Sequence, residues 1–381
     1  MTSDILSGEY FVNGDWACAE GAISAGCDYY AAYPITPATE IAERLASRLP
    51  ALKRKFIQFE DEISAVASLI GASFTGKKVM TATSGPGISL MLENLGLAVM
   101  TEAPMVIVNV MRGGPSTGQP TMGAQSDVMQ VRWGMHGDVE VIALAPKSVQ
   151  EMYSMTIQAF NLSEQYRVPV FLLSDANIGH MYEKLIIPEP SEISIINRKK
   201  PTCEPSFYKP YQVDESLVPE MACFGEGYRF YSTGLTHNEK GYPDMSVETQ
   251  RKLVQRLNDK IRNHANQIIM MEELETGDCE VLVVAYGITA RSATTAVKQA
   301  REEGIKAGLL RLKTLWPFPE KKLRSTTENV KGVIVPEMNY GQLVREVERV
   351  IKPTPIRFMS KLGGNPHTPF EILGEIRRMA L

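Results

Sequence analysis

The chain reads as an α/β protein built from two open, mostly parallel-sheet domains. Three observations predict this. Helix-like and strand-like segments alternate from about residue 17 to residue 187. The same alternation resumes near Glu280. Between them runs a stretch with Pro188, Pro190, Pro201, Pro205, Pro210 and Pro219 and little periodicity, as expected of a linker or wrapping arm. A length of 381 residues suits two domains of ordinary size. The expected boundaries are 1–190 for the first domain, 191–270 for the arm with one helix, and 271–381 for the second domain.

Each element has its own signal. Ala17 to Ala25 is a run of small residues suited to a packed helix. Asp61 to Ser73 is Ala-rich, with Ile63, Val66, Leu69 and Ile70 at helical spacing. Lys78 to Thr83 is a short strand leaving a Gly-Lys-Lys turn, and Ile88 to Met100 again has helical spacing. The apolar run Met105 to Met111 suits a strand buried on both faces. Val139 to Ala145 and Val168 to Ser174 are strands of the same kind. Between them, Ser148-Val149-Gln150-Glu151 is a capping box, where a serine and a glutamate satisfy each other's backbone donors, opening a helix to about Tyr166. Met245 to Asn266 is a polar amphipathic helix with Leu253, Leu257 and Ile261 four apart. In the second domain, Val281–Ala285, Ala307–Leu312 and Gly332–Pro336 are strands, and Ala290–Glu303 and Gly341–Ile351 are helices.

Composition excludes several functions. A 44% hydrophobic and 22% charged chain with formal net charge −4 has no basic stripe for nucleic acid. No apolar run reaches membrane-span length, and Met1 to Tyr10 carries Asp4 and Glu9 in place of a basic, apolar leader. A cytoplasmic location is expected. Cys18, Cys27, Cys203, Cys223 and Cys279 form no CxxC, which argues against a disulfide framework or an iron–sulfur site made by this chain, and for small buried hydrophobes. The run Gly71 to Lys78 mimics a P-loop but lacks the Ser or Thr after its lysine and follows a helix. Gly85-Pro86-Gly87 and Gly113 to Gly118 both miss the dinucleotide-binding offsets. There is no Gly-x-Ser-x-Gly elbow, and the five histidines show no metal-binding spacing. No metal ligand set is predicted for this chain.

Three short runs carry the chemistry. Tyr33-Pro34-Ile35-Thr36-Pro37 fixes a loop between two prolines and presents a hydroxyl. Phe59-Glu60-Asp61-Glu62 puts carboxylates at the start of a helix, where acids also serve simply to satisfy the helix N-terminus. Thr83-Ser84-Gly85-Pro86-Gly87 is a tight turn opening another helix. A fourth run, Val108-Asn109-Val110-Met111-Arg112-Gly113-Gly114-Pro115, ends the buried strand in a guanidinium.

Together, and in this order, these motifs resemble those of the alpha subunits of the 2-oxoacid:ferredoxin oxidoreductases, most closely the 2-oxoglutarate type. The resemblance spans essentially the whole chain, including Thr233 to His237. It implies a thiamine diphosphate pyrimidine-binding domain over 1–190 and a transketolase C-terminal-like domain over 271–381. It implies that Glu62 bonds the pyrimidine nitrogen N1′ and favours the imino form of that ring, with Glu60 as the next candidate. Thr36 and Arg112 would meet the substrate carboxylate, and Ser84, Gly85 and Gly87 would line the cofactor cleft with backbone groups. The segment from Ser116 to His136 resembles the substrate-side loop of the family, and no residue in it, His136 included, is assigned to the distal carboxylate.

The Gly-Asp pairs at 14, 137 and 277 lack the Gly-Asp-Gly run that holds magnesium in thiamine enzymes. The resemblance therefore implies a beta subunit supplying Mg2+, the diphosphate site and a [4Fe–4S] cluster, with small ferredoxin-like and gamma subunits as further partners. The implied reaction is reversible, coenzyme A-dependent oxidative decarboxylation of 2-oxoglutarate to succinyl-CoA and carbon dioxide, with ferredoxin as acceptor. A branched-chain 2-oxoacid such as 2-oxoisovalerate is the alternative substrate, and a non-catalytic scaffold subunit the alternative role.

Overall fold

A computed structural model describes residues 5–381. Its first sheet has eight strands. Seven form one path in the order Thr314–Trp316, Ile142–Leu144, Pro169–Asp175, Met105–Gly113, Val79–Thr83, Tyr29–Ala32 and Lys55–Gln58, while Gln119–Gly123 pairs off the path with Met105–Gly113. The strands from Ile142–Leu144 to Lys55–Gln58 are parallel.

Alternate residues of these strands face opposite sides of the sheet, as pleating requires. Ala31, Ile107, Phe171 and Leu173 join one core with helices Glu62–Phe74 and Gly85–Met100. Tyr30, Val106, Val108, Val170 and Leu172 join the other, with helices Gly14–Ser24, Thr39–Ala51 and Val149–Tyr166. Each such Val or Leu contributes on the order of 1.5–3 kcal/mol by leaving water.

The second sheet has the order Met271–Leu274, Ala307–Leu312, Val281–Ala285, Gly332–Glu337, Ile356–Ser360, with only Met271–Leu274 antiparallel. Val281, Val283 and Ala285 face helices Gly287–Glu302 and Pro369–Ala380. Leu282 and Val284 face the other way, into the core that holds Ile88, Met91 and Val128 of the first unit. One apolar core thus runs through both units. Polar latches fix their register. Asp175 accepts from the backbone N–H of Ile178 at 3.1 Å and of Ile288 at 2.9 Å, so one carboxylate serves two helix N-termini. Gly287 (φ +55°) is needed there, because a Cβ would lie 2.6 Å from Gln125 Nε2 and 2.8 Å from Asp175 Oδ2.

Several expected spans shift. Only Ile142–Leu144 of the run 139–145 is strand. The helix expected over 245–266 is two, Val247–Arg262 and Ala265–Ile268. No α-helix or strand lies between Ile187 and Val247, in keeping with an arm whose prolines withhold backbone donors. Four of the five cysteines are buried, and burial pushes the Cys18 and Cys27 thiols up to about 12; Cys203 is exposed. Among the described residues no helix is long and apolar enough to cross a membrane.

The arm and the helix Val247–Arg262 are fastened through a buried charge cluster. Glu102, fully buried, meets Arg256 at 2.6 Å and Lys260 at 2.7 Å. Burial works to raise its carboxyl, but the two cations overrule it and hold it well below its ordinary value near 4.5. A depressed carboxyl stabilises the fold above its unfolded value, and that contribution fades as pH falls toward the folded one. Glu102→Gln is therefore expected to cost about 3–5 kcal/mol at pH 7, because it strands the buried Lys260 and the largely covered Arg256. The deficit should shrink as pH drops below about 4.5. Urea unfolding of both chains across that range checks it; a constant gap would refute the assignment.

Candidate functional site

The parallel strands of the first sheet end at one edge, and the chain leaves the neighbouring strands Tyr29–Ala32 and Val79–Thr83 toward opposite sides. Ligands of open α/β sheets bind at such an edge, beyond the carboxyl ends of the strands. All four motifs gather there.

The acidic run divides its labour. Asp61 is the N-cap of helix Glu62–Phe74, its Oδ1 accepting from Ser64 N–H at 2.7 Å. Glu60 is exposed. Glu62, one residue into the helix, turns inward and is only 4% exposed. Its single side-chain partner is the Thr83 hydroxyl, at the long distance of 3.4 Å. Burial pushes its carboxyl up, opposed in part by the backbone and by Thr83 and assisted by the Asp61 charge.

Gly87 keeps this carboxylate clear. A Cβ on Gly87 would stand 2.0 Å from Thr83 Oγ1 and 2.5 Å from Glu62 Oε1. Gly85 is similarly confined, since its Cβ would meet Asp127 Oδ2 at 2.8 Å. Ser84 is buried at the N-cap of helix Gly85–Met100, but its hydroxyl donates across the sheet to Val110 O at 2.9 Å. Its side chain therefore does not cap that helix, whose Gly87 N–H goes instead to the Ser84 carbonyl at 2.9 Å.

Arg112 is buried at the end of strand Met105–Gly113. Its Nη1 donates to the Thr36 carbonyl at 2.6 Å, while its Nε–H has no hydrogen-bond partner. Thr36 itself is exposed. The structure thus brings Thr36 and Arg112 together, and Glu62 with Gly87. His136 is exposed beside Gly96, about three helical turns along from Gly85, and lies apart from both pairs.

Two further residues connect these groups. Asn109 Nδ2 donates to Asp127 Oδ2 at 3.0 Å, between Gly85 and Arg112. Desolvation raises Asp127 to about 6, with Asn109 and the Arg112 charge pulling the other way. Sequence reasoning passed over Asn109 and Asp127. A signal existed for the first: one amide inside an otherwise apolar, fully buried strand must have a partner.

The chain matches two family descriptions: "Pyruvate flavodoxin/ferredoxin oxidoreductase, thiamine diP-bdg" over residues 20–256, and "Pyruvate:ferredoxin oxidoreductase core domain II" over residues 279–372. It is 53% identical over 376 residues to the 2-oxoglutarate synthase subunit KorA of Methanothermobacter marburgensis, covering 98% of this chain and 100% of that one. The same subunit from Methanocaldococcus jannaschii is 54% identical over 363 residues, 95% of this chain and 97% of that one. Identity falls to 36% over 374 residues for the ketoisovalerate oxidoreductase subunit VorB of Methanothermobacter marburgensis, with 97% of each chain covered. Among solved structures, the 2-oxoglutarate:ferredoxin oxidoreductase from Magnetococcus marinus, with 2-oxoglutarate, coenzyme A and succinyl-CoA bound, superposes with a TM-score of 0.94 at 36% identity. The match covers 98% of this chain and 66% of that longer one. Motifs gathered at one sheet edge, two consecutive family matches and end-to-end likeness lead to one assignment: the chain belongs to the 2-oxoacid:ferredoxin oxidoreductases, as an alpha subunit of the 2-oxoglutarate type.

Proposed function

We propose that the chain holds the pyrimidine half of thiamine diphosphate and the carboxylate of 2-oxoglutarate, and that a beta subunit completes the site for the coenzyme A-dependent, reversible conversion to succinyl-CoA and carbon dioxide with ferredoxin. The observation that carries this reading is the Glu62 carboxylate: buried, weakly partnered, and kept clear by a glycine that tolerates no Cβ. When bound, the cofactor supplies the carbon nucleophile that attacks a keto carbon. The chain supplies the surroundings. Glu62 holds a hydrogen bond to the ring nitrogen, and the dry wall of Thr83 and Gly87 makes that bond strong. Ser84, Gly85 and Gly87 bring backbone against the ring. Thr36 and Arg112 orient the substrate carboxylate, to which the free Nε–H of Arg112 adds a donor.

The site opens on surface that this chain leaves uncovered. Ile63 and Leu90, on the two helices that start at the site, are each 48% exposed. Apolar side chains beside a half-built site suit coverage by another subunit. That subunit would hold the diphosphate, Mg2+ and a [4Fe–4S] cluster, for which this chain lacks the Gly-Asp-Gly run and a CxxC; small ferredoxin-like and gamma subunits would extend the electron path.

The experiment is an assay of the copurified complex with coenzyme A and a viologen dye. Reduction with 2-oxoglutarate at least tenfold faster than with 2-oxoisovalerate is expected; the reverse order would move the chain to the branched-chain type. In the same assay, Arg112→Ala should raise KM for 2-oxoglutarate about ten- to a hundredfold, the loss of a hydrogen-bonded charge of about 1.5–3 kcal/mol. Arg112→Lys should not restore it, because an ammonium lacks the planar fork. An unchanged KM would take Arg112 out of the site.

A further inference from the structure

A separate cluster of titratable side chains lies behind the Thr36 loop. Asp15 is in the first turn of helix Gly14–Ser24, Glu40 in the first turn of helix Thr39–Ala51, and His180 ends helix Ala176–His180. His180 Nε2 is 3.7 Å from Glu40 Oε2 and 4.0 Å from Asp15 Oδ2. One ligand atom from each of the three lies within 4.8 Å of the other two. The Pro37 carbonyl oxygen stands 3.2 Å from the same imidazole nitrogen.

Asp15 is the anomaly in this cluster. It is 0% exposed, yet neither carboxylate oxygen has a hydrogen-bond partner. Gly179 approaches so closely that a Cβ there would sit 2.7 Å from Asp15 Oδ1. A buried carboxylate without donors is costly, and a proton or a cation relieves it. A proton accounts for Asp15 alone. It gives no reason for a second carboxylate and an imidazole, carried by two other elements, to converge on the same point.

We propose that Asp15, Glu40 and His180 form a binding site for one zinc ion, a divalent metal of intermediate softness, with the Pro37 carbonyl as a fourth donor. Bonds of about 2.1 Å in a tetrahedral site set adjacent ligand atoms about 3.4 Å apart. His180 Nε2 stands 3.2, 3.7 and 4.0 Å from the other three donors, and the ligand atoms of the three side chains lie within 4.8 Å of one another, so binding draws the carboxylates inward. The imidazole nitrogen among oxygen donors suits zinc over calcium, magnesium and manganese, which favour oxygen ligands. Two carboxylates balance the charge of the ion. Glu40 and His180 side chains are 42% and 37% exposed, so the ion reaches the site from solvent. Coordination through Nε2 places the imidazole proton on Nδ1. The ion ties three helices to the loop whose Thr36 carbonyl accepts from Arg112.

The full chain, stripped with a chelator, is titrated with Zn2+, and separately with Mn2+ as the hard-ion comparison, by calorimetry, with thermal unfolding followed in parallel. One equivalent of Zn2+ should bind more tightly than Mn2+ and raise the unfolding temperature; preference for Mn2+ overturns the choice of metal. His180→Ala and Glu40→Gln should each weaken binding at least tenfold; both side chains are half-exposed, so the variants keep the fold. Asp15→Asn, isosteric and uncharged, should abolish the metal-induced shift without lowering the metal-free unfolding temperature. Absence of saturable binding to the unmodified chain, or equal affinity in the His180 and Glu40 variants, overturns the assignment.

Discussion

Glu62→Gln is expected to cut kcat of the assembled complex by at least a hundredfold while leaving assembly intact. The amide keeps the size of the carboxyl group but cannot share a proton with a ring nitrogen, and such positioned proton exchange is worth roughly 10²–10⁴ in rate. The chain itself should not weaken. The only side-chain bond lost is the 3.4 Å contact with Thr83. Burial raises the Glu62 carboxyl, so the fold disfavours its ionised form. A raised carboxyl favours the fold below the unfolded pKa, near 4.5, and that advantage disappears as pH climbs through the folded value. At neutral pH the wild-type chain therefore carries a penalty that glutamine lacks. The unfolding temperature of Glu62→Gln at pH 7 should equal or exceed that of wild type. A variant that turns over normally, or one that loses activity only because it melts several degrees earlier, would show that Glu62 is a helix-end acid and nothing more.

Gly87→Ala should be nearly as damaging, by sterics. The added methyl would overlap the Thr83 hydroxyl at 2.0 Å and the Glu62 carboxylate at 2.5 Å, both in buried surroundings. Overpacking of this kind costs about 1–3 kcal/mol, and the gain in helix propensity, about 1 kcal/mol, offsets part of it. Net stability therefore falls modestly, while Glu62 is pushed off its position. A displacement on the order of 1 Å is enough to lose about a hundredfold in rate. Gly374→Ala is the control. It lies within helix Pro369–Ala380, where a Cβ meets nothing within 4 Å. It should raise the unfolding temperature slightly and leave kcat alone. Circular dichroism melts paired with the viologen assay separate the two; full activity in Gly87→Ala would mean that the cleft tolerates the methyl and that Glu62 can move without consequence.

The sequence alone exposed elements long enough to show their period. The strand Met105–Gly113 and the helices Gly85–Met100 and Val149–Tyr166 fall where apolar spacing and the Ser148 cap predict them, although Glu151 accepts from Lys147 N–H and not from Ser148, so the box does not close. Strands of four residues, Tyr29–Ala32 and Lys55–Gln58, have too few positions for a period to register, and both escaped notice. The pairing of Thr314–Trp316 with Ile142–Leu144 was equally hidden, because a strand's partner is selected by packing far along the chain and not by its own residues.

Residue types in short order along the chain determined the family and its chemistry, since a hydroxyl between prolines, a carboxylate opening a helix and a guanidinium ending a buried strand are chemical facts before any folding. Tertiary structure turned inward the acid that the motifs had named, Glu62, and it alone decided that Asn109 and Asp127 link the site and that Asp15, Glu40 and His180 meet. The reason is physical. A side chain's identity is local, whereas its burial, its charge state and the distance to its neighbours exist only after the sheet has drawn remote segments to one edge.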